Sequence, residues 1–296
     1  MRRDAAPRRA IPRSVLYSSA RNPAHLAQAR THDADLYLID LEDSVPRDGR
    51  DAARAACRQA LAGGGDPGRM AVRVNGCRTA DHHRDMVMLM GAPVRPAFIF
   101  MTMVEDAAEP ACLRAALADA GWHPALYATI ETVQAVQRIA ELAHALDGMI
   151  LGSADLAATI GVDIGAAALR AARQAMALAA AGAGIGCLDT GNFRLDDPGA
   201  LAAEIEEAVS LGFHGKGTVH PGELAGINAA FRPRAAELHQ ARRIMEATAA
   251  AGGGVCMLDG RMIGPPFVRR ARDLLGSAQA WQAAFGAGNR DGSGRS

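Results

Sequence analysis

Short apolar runs alternate along this chain with longer stretches whose apolar residues recur at helical spacing. Eight β-prone runs stand out: Ser14 to Tyr17, Leu36 to Ile39, Ala71 to Val74, Ala97 to Phe100, Ala125 to Thr129, Gly148 to Leu151, Gly184 to Leu188 and Gly215 to Val219. The Ala/Arg/Leu-rich segments between them predict helices starting near Pro23, Arg47, Asp81, Ala107, Val133, Asp163, Pro198 and Pro221. Pro and Asp suit the first turn of a helix, where the N–H groups lack intrahelical partners and negative charge is favoured. Short apolar strands in regular alternation with helices indicate βα units around a parallel sheet.

Eight such units in succession predict an α/β fold, a closed (β/α)8 TIM barrel, over residues 13–232. A C-terminal helical extension is expected over residues 233–285. It reads as a helix from Pro233 to Ala251, a short strand or turn from Val255 to Leu258 and a second helical stretch from Pro266 to Phe285. Residues 1–12 are expected to form a flexible start, and the polar, Gly/Ser-rich residues 286–296 a disordered tail.

In a barrel the residues just past each strand gather at one mouth. Asp40, Glu42 and Asp43 follow the second run; Arg73 and Asn75 come at the third, Thr102 and Glu105 at the fourth, Glu131 at the fifth and Asp155 at the sixth. Asp189 ends the seventh, and Lys216 and His220 flank the eighth. Glu131 and Asp155 form the most informative pair. Mg²⁺ takes one or two carboxylates and completes its shell with waters and substrate oxygens, so two carboxylates on neighbouring strand ends match its needs.

Composition narrows the field. The 296 residues are 49% hydrophobic with a formal net charge of +0, which gives one large core and no electrostatic bias toward nucleic acid or membrane. No apolar run approaches the ~18 residues of a spanning helix. Arg2, Arg3, Arg8 and Arg9 lead into no apolar signal segment, so a cytoplasmic location is expected. Five scattered cysteines show no Cys-x-x-Cys spacing and suggest free thiols rather than disulfides or a zinc site.

The order of short motifs resembles the citrate lyase β-subunit-like family of the HpcH/HpaI aldolase superfamily. The carrying segments are Arg13-Ser14-Val-Leu-Tyr through Leu38-Ile-Asp-Leu-Glu-Asp43-Ser-Val, then Val72-Arg73-Val-Asn75, Ile130-Glu131-Thr132 and Gly152-Ser-Ala-Asp155-Leu-Ala. Leu188-Asp189-Thr190, Gly215-Lys216-Gly-Thr-Val-His220-Pro221 and Asp259-Gly-Arg-Met-Ile follow in order. The resemblance implies a Mg²⁺-dependent enzyme (Mn²⁺ as the alternative ion) that makes or breaks a carbon–carbon bond beside a carbonyl, often that of a CoA thioester. It implies a homotrimer or hexamer with a small 3-hydroxy or 2-oxo acid as substrate. Carried over by motif, Glu131 and Asp155 hold the metal and Arg73 meets the substrate. Asp43 and Glu42 are expected to orient waters on the metal, or Arg73, rather than bind the ion, and Arg13, Asn75, Asp189 and His220 to contact substrate.

Three departures accompany the matches. Where relatives carry basic residues that help hold CoA phosphates, this chain has Ala24 and Gln28, leaving Arg21 as a partial substitute. A Pro-Lys-Val-Glu segment after the fourth strand is replaced by Met101-Thr-Met-Val-Glu105, and the usual aspartate after Met-Ile is Gly264. Gly264 cannot move a proton, so acid/base work falls elsewhere. Lys216, the single lysine, offers Schiff-base chemistry as an alternative. Thioester hydrolysis and a non-catalytic, ligand-binding homologue are the others.

Overall fold

A computed structural model describes residues 10–165, 167–195 and 197–286. Most of the expected flexible start and tail lies outside the described residues. Two compact units are present, residues 12–231 and a C-terminal unit from residue 232 onward.

The first unit is a TIM barrel. Its strands are β1 (Ser14–Ser19), β2 (Leu36–Asp40), β3 (Met70–Arg73), β4 (Phe98–Met101), β5 (Ala125–Ile130), β6 (Gly148–Leu151), β7 (Gly186–Asp189) and β8 (Gly215–Thr218). All neighbours pair in parallel, and β8 returns to β1 to close the sheet. The helices are α1 (Pro23–Ala29), α2 (Arg50–Ala62), α3 (Ala80–Met90), α4 (Ala108–Asp119), α5 (Val133–Gln137), α6 (Ile139–Ala145), α7 (Ser153–Ile160), α8 (Ala168–Ala183), α9 (Pro198–Leu211) and α10 (Leu224–Phe231). The expected helix near Asp163 starts at Ala168, and α7 ahead of it was not anticipated. Its apolar residues run directly on from β6, so the segment reads as one apolar block.

Side chains alternate across each strand. One set, including Ile39, Val72, Ile99, Leu126, Ile130, Met149 and Cys187, packs with Leu61, Leu89, Leu117 and Leu142 of the surrounding helices in one core cluster. The other set faces the barrel interior. Phe100 stacks on Tyr127 with ring centroids 5.0 Å apart. Inward positions on the neighbouring strands are small: a Cβ on Gly148, the register partner of Tyr127, would overlap that ring, and one on Gly217 would stand 3.1 Å from Tyr17 and 3.2 Å from Ile150. Each of these tyrosine rings thus lies over a glycine of the adjacent strand.

The C-terminal unit contains α11 (Ala235–Ala250), the antiparallel pair β9 (Cys256–Leu258) and β10 (Arg261–Ile263), and α12 (Pro265–Phe285). β10 is a strand the sequence reading lacked. Asp259 and Gly260, both at positive φ, make the turn between β9 and β10, and Asp-Gly is the pairing such tight turns favour.

Candidate functional site

Strand alternation carries charge into the C-terminal mouth at three inward positions: Asp40 ends β2, Arg73 ends β3 and Glu131 follows β5. Asp40 and Arg73 are register partners. The guanidinium grips Asp40 through Nε–Oδ1 (2.7 Å) and Nη2–Oδ2 (2.8 Å), a two-point fork, while Nη1 reaches Asp43 at 3.0 Å and lies 3.4 Å from Glu42. Its carbon sits 5.4 Å over the Tyr17 ring. Burial works against ionisation of Asp40, yet hydrogen bonds from Arg73, Ser44 and Glu42 hold its carboxyl below the ordinary value.

Glu131 is buried, and its Oε1 accepts the Met103 backbone N–H at 2.6 Å. Met103 adopts φ +52, a left-handed conformation that costs a non-glycine residue about 1–2 kcal/mol and here aims its N–H at the carboxylate. Gly152 is required beside it, because a Cβ there would come within 2.5 Å of Glu131 Cβ. Burial, then the nearby charges of Glu42 and Asp155, push the Glu131 carboxyl up to about 8, against the Met103 hydrogen bond. Asp155, in the first turn of α7, is raised by burial and by Asp43. Glu42 is pushed up to about 7, by burial first and then by Asp43 and Asp40, with Arg73 opposing.

Asp40, Asp43, Arg73, Glu131 and Asp155 border a cleft of about 980 Å³ that also reaches His25, Gln28 and His32 on the α1 side and His220 beyond β8. His220 is placed by its backbone N–H to Thr218 Oγ1 (2.9 Å), and that hydroxyl donates to the buried Glu223 (2.6 Å). Arg73, Asp43, Glu131, Asp155 and His220 therefore share one cavity, with two further wall residues: Asp40, which the sequence reading set at the mouth without a role, and Tyr17, which it read only as the end of the first strand. Both lie at inward positions, and parity along their strands is the signal that would have found them.

Other expected substrate contacts lie elsewhere. Arg13 precedes β1, at the opposite end of the barrel, and its buried guanidinium pairs with Asp35 at 3.2 Å. Asn75 points away from the cleft, donating to Leu41 O (3.1 Å) and Asp85 (2.7 Å). Asp189 is on the outward face of β7, where it meets Arg173 (3.0 Å) and Lys216 (3.2 Å). Lys216, fully buried between sheet and helices with a second partner in Glu204 at 3.0 Å, has no path to a substrate carbonyl, which removes the Schiff-base alternative. Arg21 is exposed and is not a wall residue of the cleft, so the partial CoA contact expected of it is not formed there. Glu42 touches Arg73 behind the wall rather than lining it.

Among the described residues no three His, Cys, Asp or Glu side chains converge as a metal cage. A magnesium site does not require three, since substrate and water supply the remaining oxygens. The donor set does fit a hard cation: two oxygen-bearing side chains, both with proton affinity raised above the ordinary value, face one cavity. No described helix is long and apolar enough to cross a membrane.

The closed parallel barrel with charged groups at its C-terminal mouth defines a TIM-barrel protein whose functional groups sit at the strand ends. The chain belongs to the HpcH/HpaI aldolase/citrate lyase family, which residues 13–221 match. It is 34% identical over 277 residues to a (3S)-malyl-CoA thioesterase of Cereibacter sphaeroides, covering 90% of this chain and 95% of that one. The crystal structure of CitE from Mycobacterium tuberculosis in complex with magnesium, acetoacetate and coenzyme A superimposes with a TM-score of 0.73 at 31% identity, covering 92% of this chain and 99% of that chain. A citrate lyase β subunit from the same organism, complexed with oxaloacetate and magnesium, gives a TM-score of 0.67 at 30% identity over 77% of this chain and 100% of that one.

Proposed function

We propose that the protein is a Mg²⁺-dependent carbon–carbon lyase that cleaves a 3-hydroxy acid, free or as its CoA thioester, or runs the reverse condensation. The observation that carries this reading is the acid excess at the mouth, above all the buried Glu131 beside Asp155, which calls for a cation. Glu131 and Asp155 would hold the ion, which when bound supplies Lewis-acid polarisation of the substrate carbonyl. Arg73 has three of its five N–H groups committed to Asp40 and Asp43. The other two can meet charge developing on the substrate oxygen as the bond breaks. Asp40 and Asp43 fix the guanidinium so that little reorganisation is needed. With Gly264 unable to transfer a proton, we assign the proton of the substrate hydroxyl to His220 on the cavity wall.

Thioester hydrolysis is the second reading, favoured by likeness to the malyl-CoA thioesterase. One assay separates the two. With malyl-CoA and Mg²⁺, a lyase yields an aldehyde acid and a two-carbon thioester and releases no free thiol, whereas a hydrolase releases thiol and leaves the carbon skeleton whole. Neither product with any 3-hydroxy acid or thioester, despite Mg²⁺ binding, would leave a ligand-binding homologue.

A further inference from the structure

We infer that Asn75, held by Asp85 of α3 and Arg54 of α2, is a positioning residue for Arg73: from behind the cleft wall it fixes the acidic turn that grips the guanidinium. This rests on the reading of Arg73 as the group that meets developing charge, and it extends the site to residues that line no part of the cleft.

The geometry is a chain of hydrogen bonds. Asp40 and Arg73 end neighbouring strands, and the Asp40 carboxylate accepts four bonds, two from Arg73 and two from the backbone N–H groups of Glu42 (3.0 Å) and Ser44 (3.1 Å). Where the fork points is therefore set by the course of the turn after β2. The Asn75 amide reaches back to that turn and donates to Leu41 O, between Asp40 and Glu42, at 3.1 Å. It also donates to Asp85 Oδ2 (2.7 Å), and the same oxygen accepts the Asn75 backbone N–H (3.0 Å). His82 Nδ1 lies 2.8 Å from Asn75 O, so the main chain of this residue is tied on both sides. Asp85 is fully buried, and Arg54 Nε donates to its other oxygen at 2.7 Å.

Donor count makes the residue type specific. An amide nitrogen offers two hydrogens, one for the Leu41 carbonyl and one for the Asp85 carboxylate. An aspartate at this position would set oxygen against oxygen, and a leucine of similar shape would leave a buried carbonyl without its donor. Apolar packing could hold α2 and α3 to the sheet without burying a carboxylate and a guanidinium, which is costly. What the polar network adds is direction, and the segment it directs carries Asp40 and Asp43.

The test uses the full chain with Mg²⁺ and malyl-CoA. Asn75→Leu is expected to lower kcat by about 10–100-fold, the scale of a reacting group displaced by up to about an ångström, with KM and the Mg²⁺-induced thermal shift kept. Asn75→Ser, which can still serve one of the two acceptors, should fall between Asn75→Leu and the parent. In an Arg73→Ala background the same changes should lower kcat by less than about twofold, because a positioning residue has nothing to act on once its target is gone. Equal losses in both backgrounds, or an unchanged kcat, would overturn the inference. A second measurement needs no turnover. Arg73 Nε–H is bonded to Asp40, and its hydrogen exchange, followed by ¹⁵N NMR and assigned by its loss in Arg73→Ala, should quicken at least about tenfold in Asn75→Leu. Leu61→Ala, which removes side-chain atoms from the helix side of the core, controls for lost stability and should quicken it far less. Exchange equal to the parent's, or quickening matched by Leu61→Ala, refutes the positioning role. No turnover of malyl-CoA by the parent would count against the lyase reading, and the exchange measurement then decides the role of Asn75 by itself.

Discussion

Two clusters of charge lie on opposite faces of the same sheet. Behind β7 and β8, Lys216, Arg173 and Arg170 meet Asp189, Glu204 and Glu207, cation for anion. At the mouth, Arg73 is the one cation among the described residues facing Asp40, Glu42, Asp43, Glu131 and Asp155, and three of those carboxyls are pushed toward holding their protons. A balanced cluster whose centre, Lys216 and Asp189, is fully buried is finished as folded. An acid excess that opens onto a cavity has a place for a cation. The contrast explains why strand-end charges alone identify function poorly: both clusters contain residues that the sequence reading assigned to substrate.

The sharpest way to break the comparison is to unbalance the sealed side. Lys216→Met leaves Asp189 and Glu204 short of a cation in a dry interface, and loss of one partner of a buried pair costs about 3–5 kcal/mol. Denaturant unfolding should show that loss, with the turnover of the folded fraction unchanged.

At the mouth the same kind of change should act in the opposite sense on stability. Glu131→Gln is expected to lower kcat/KM by about 10²–10³, or about 2.7–4 kcal/mol, and to abolish the thermal shift produced by Mg²⁺. Because the folded-state value of Glu131 is raised above its unfolded value, its carboxyl favours the fold fully below about 4.5, and that contribution is lost as pH rises through about 8. Metal-free Glu131→Gln should therefore melt higher than the parent protein at pH 8 and show little difference near pH 4.5. Equal melting at both values would mean that the carboxyl is not under strain.

Mg²⁺ must displace the proton that burial keeps on Glu131. Affinity should then rise by about tenfold per pH unit, or about 1.4 kcal/mol, between pH 6 and 7, and level off above about 8. Calorimetry in buffers of different ionisation enthalpy would read the released proton directly. The smallest effect is expected of Asp43→Asn. Its side chain is about half exposed, and surface pairs contribute up to about 1 kcal/mol, so kcat/KM should fall less than about fivefold.

The barrel was legible because the apolar runs recur at βα spacing: β6 matches its expected bounds, and the other strands differ by one or two residues at one or both ends. Arg73, Glu131, Asp155 and His220 were legible from the same spacing plus family motifs. Arg13, Asn75 and Asp189 were not, since a charged residue at a strand end can face the interior, the helices or the opposite rim. Parity separates them: Leu188 pairs with Gly215 on the inward side, so Asp189 and Lys216 must both face out. Asp40 shows the converse: the sequence reading set it at the mouth with Glu42 and Asp43 but gave it no role, and its inward parity as the last residue of β2 is what makes it the partner of Arg73. The apolar part of the cleft wall had no motif at all, since Phe193 and Leu195 come from the loop after β7 and Val219 from the residues after β8, which only the pairing of those strands brings together.

Lys216 has a practical corollary. It is the sole lysine of 296 residues, and it is sealed between sheet and helices. An acylating reagent can reach that ε-amine only when the barrel opens, so the rate at which this one side chain is tagged would clock the opening of the fold from within, with no probe introduced.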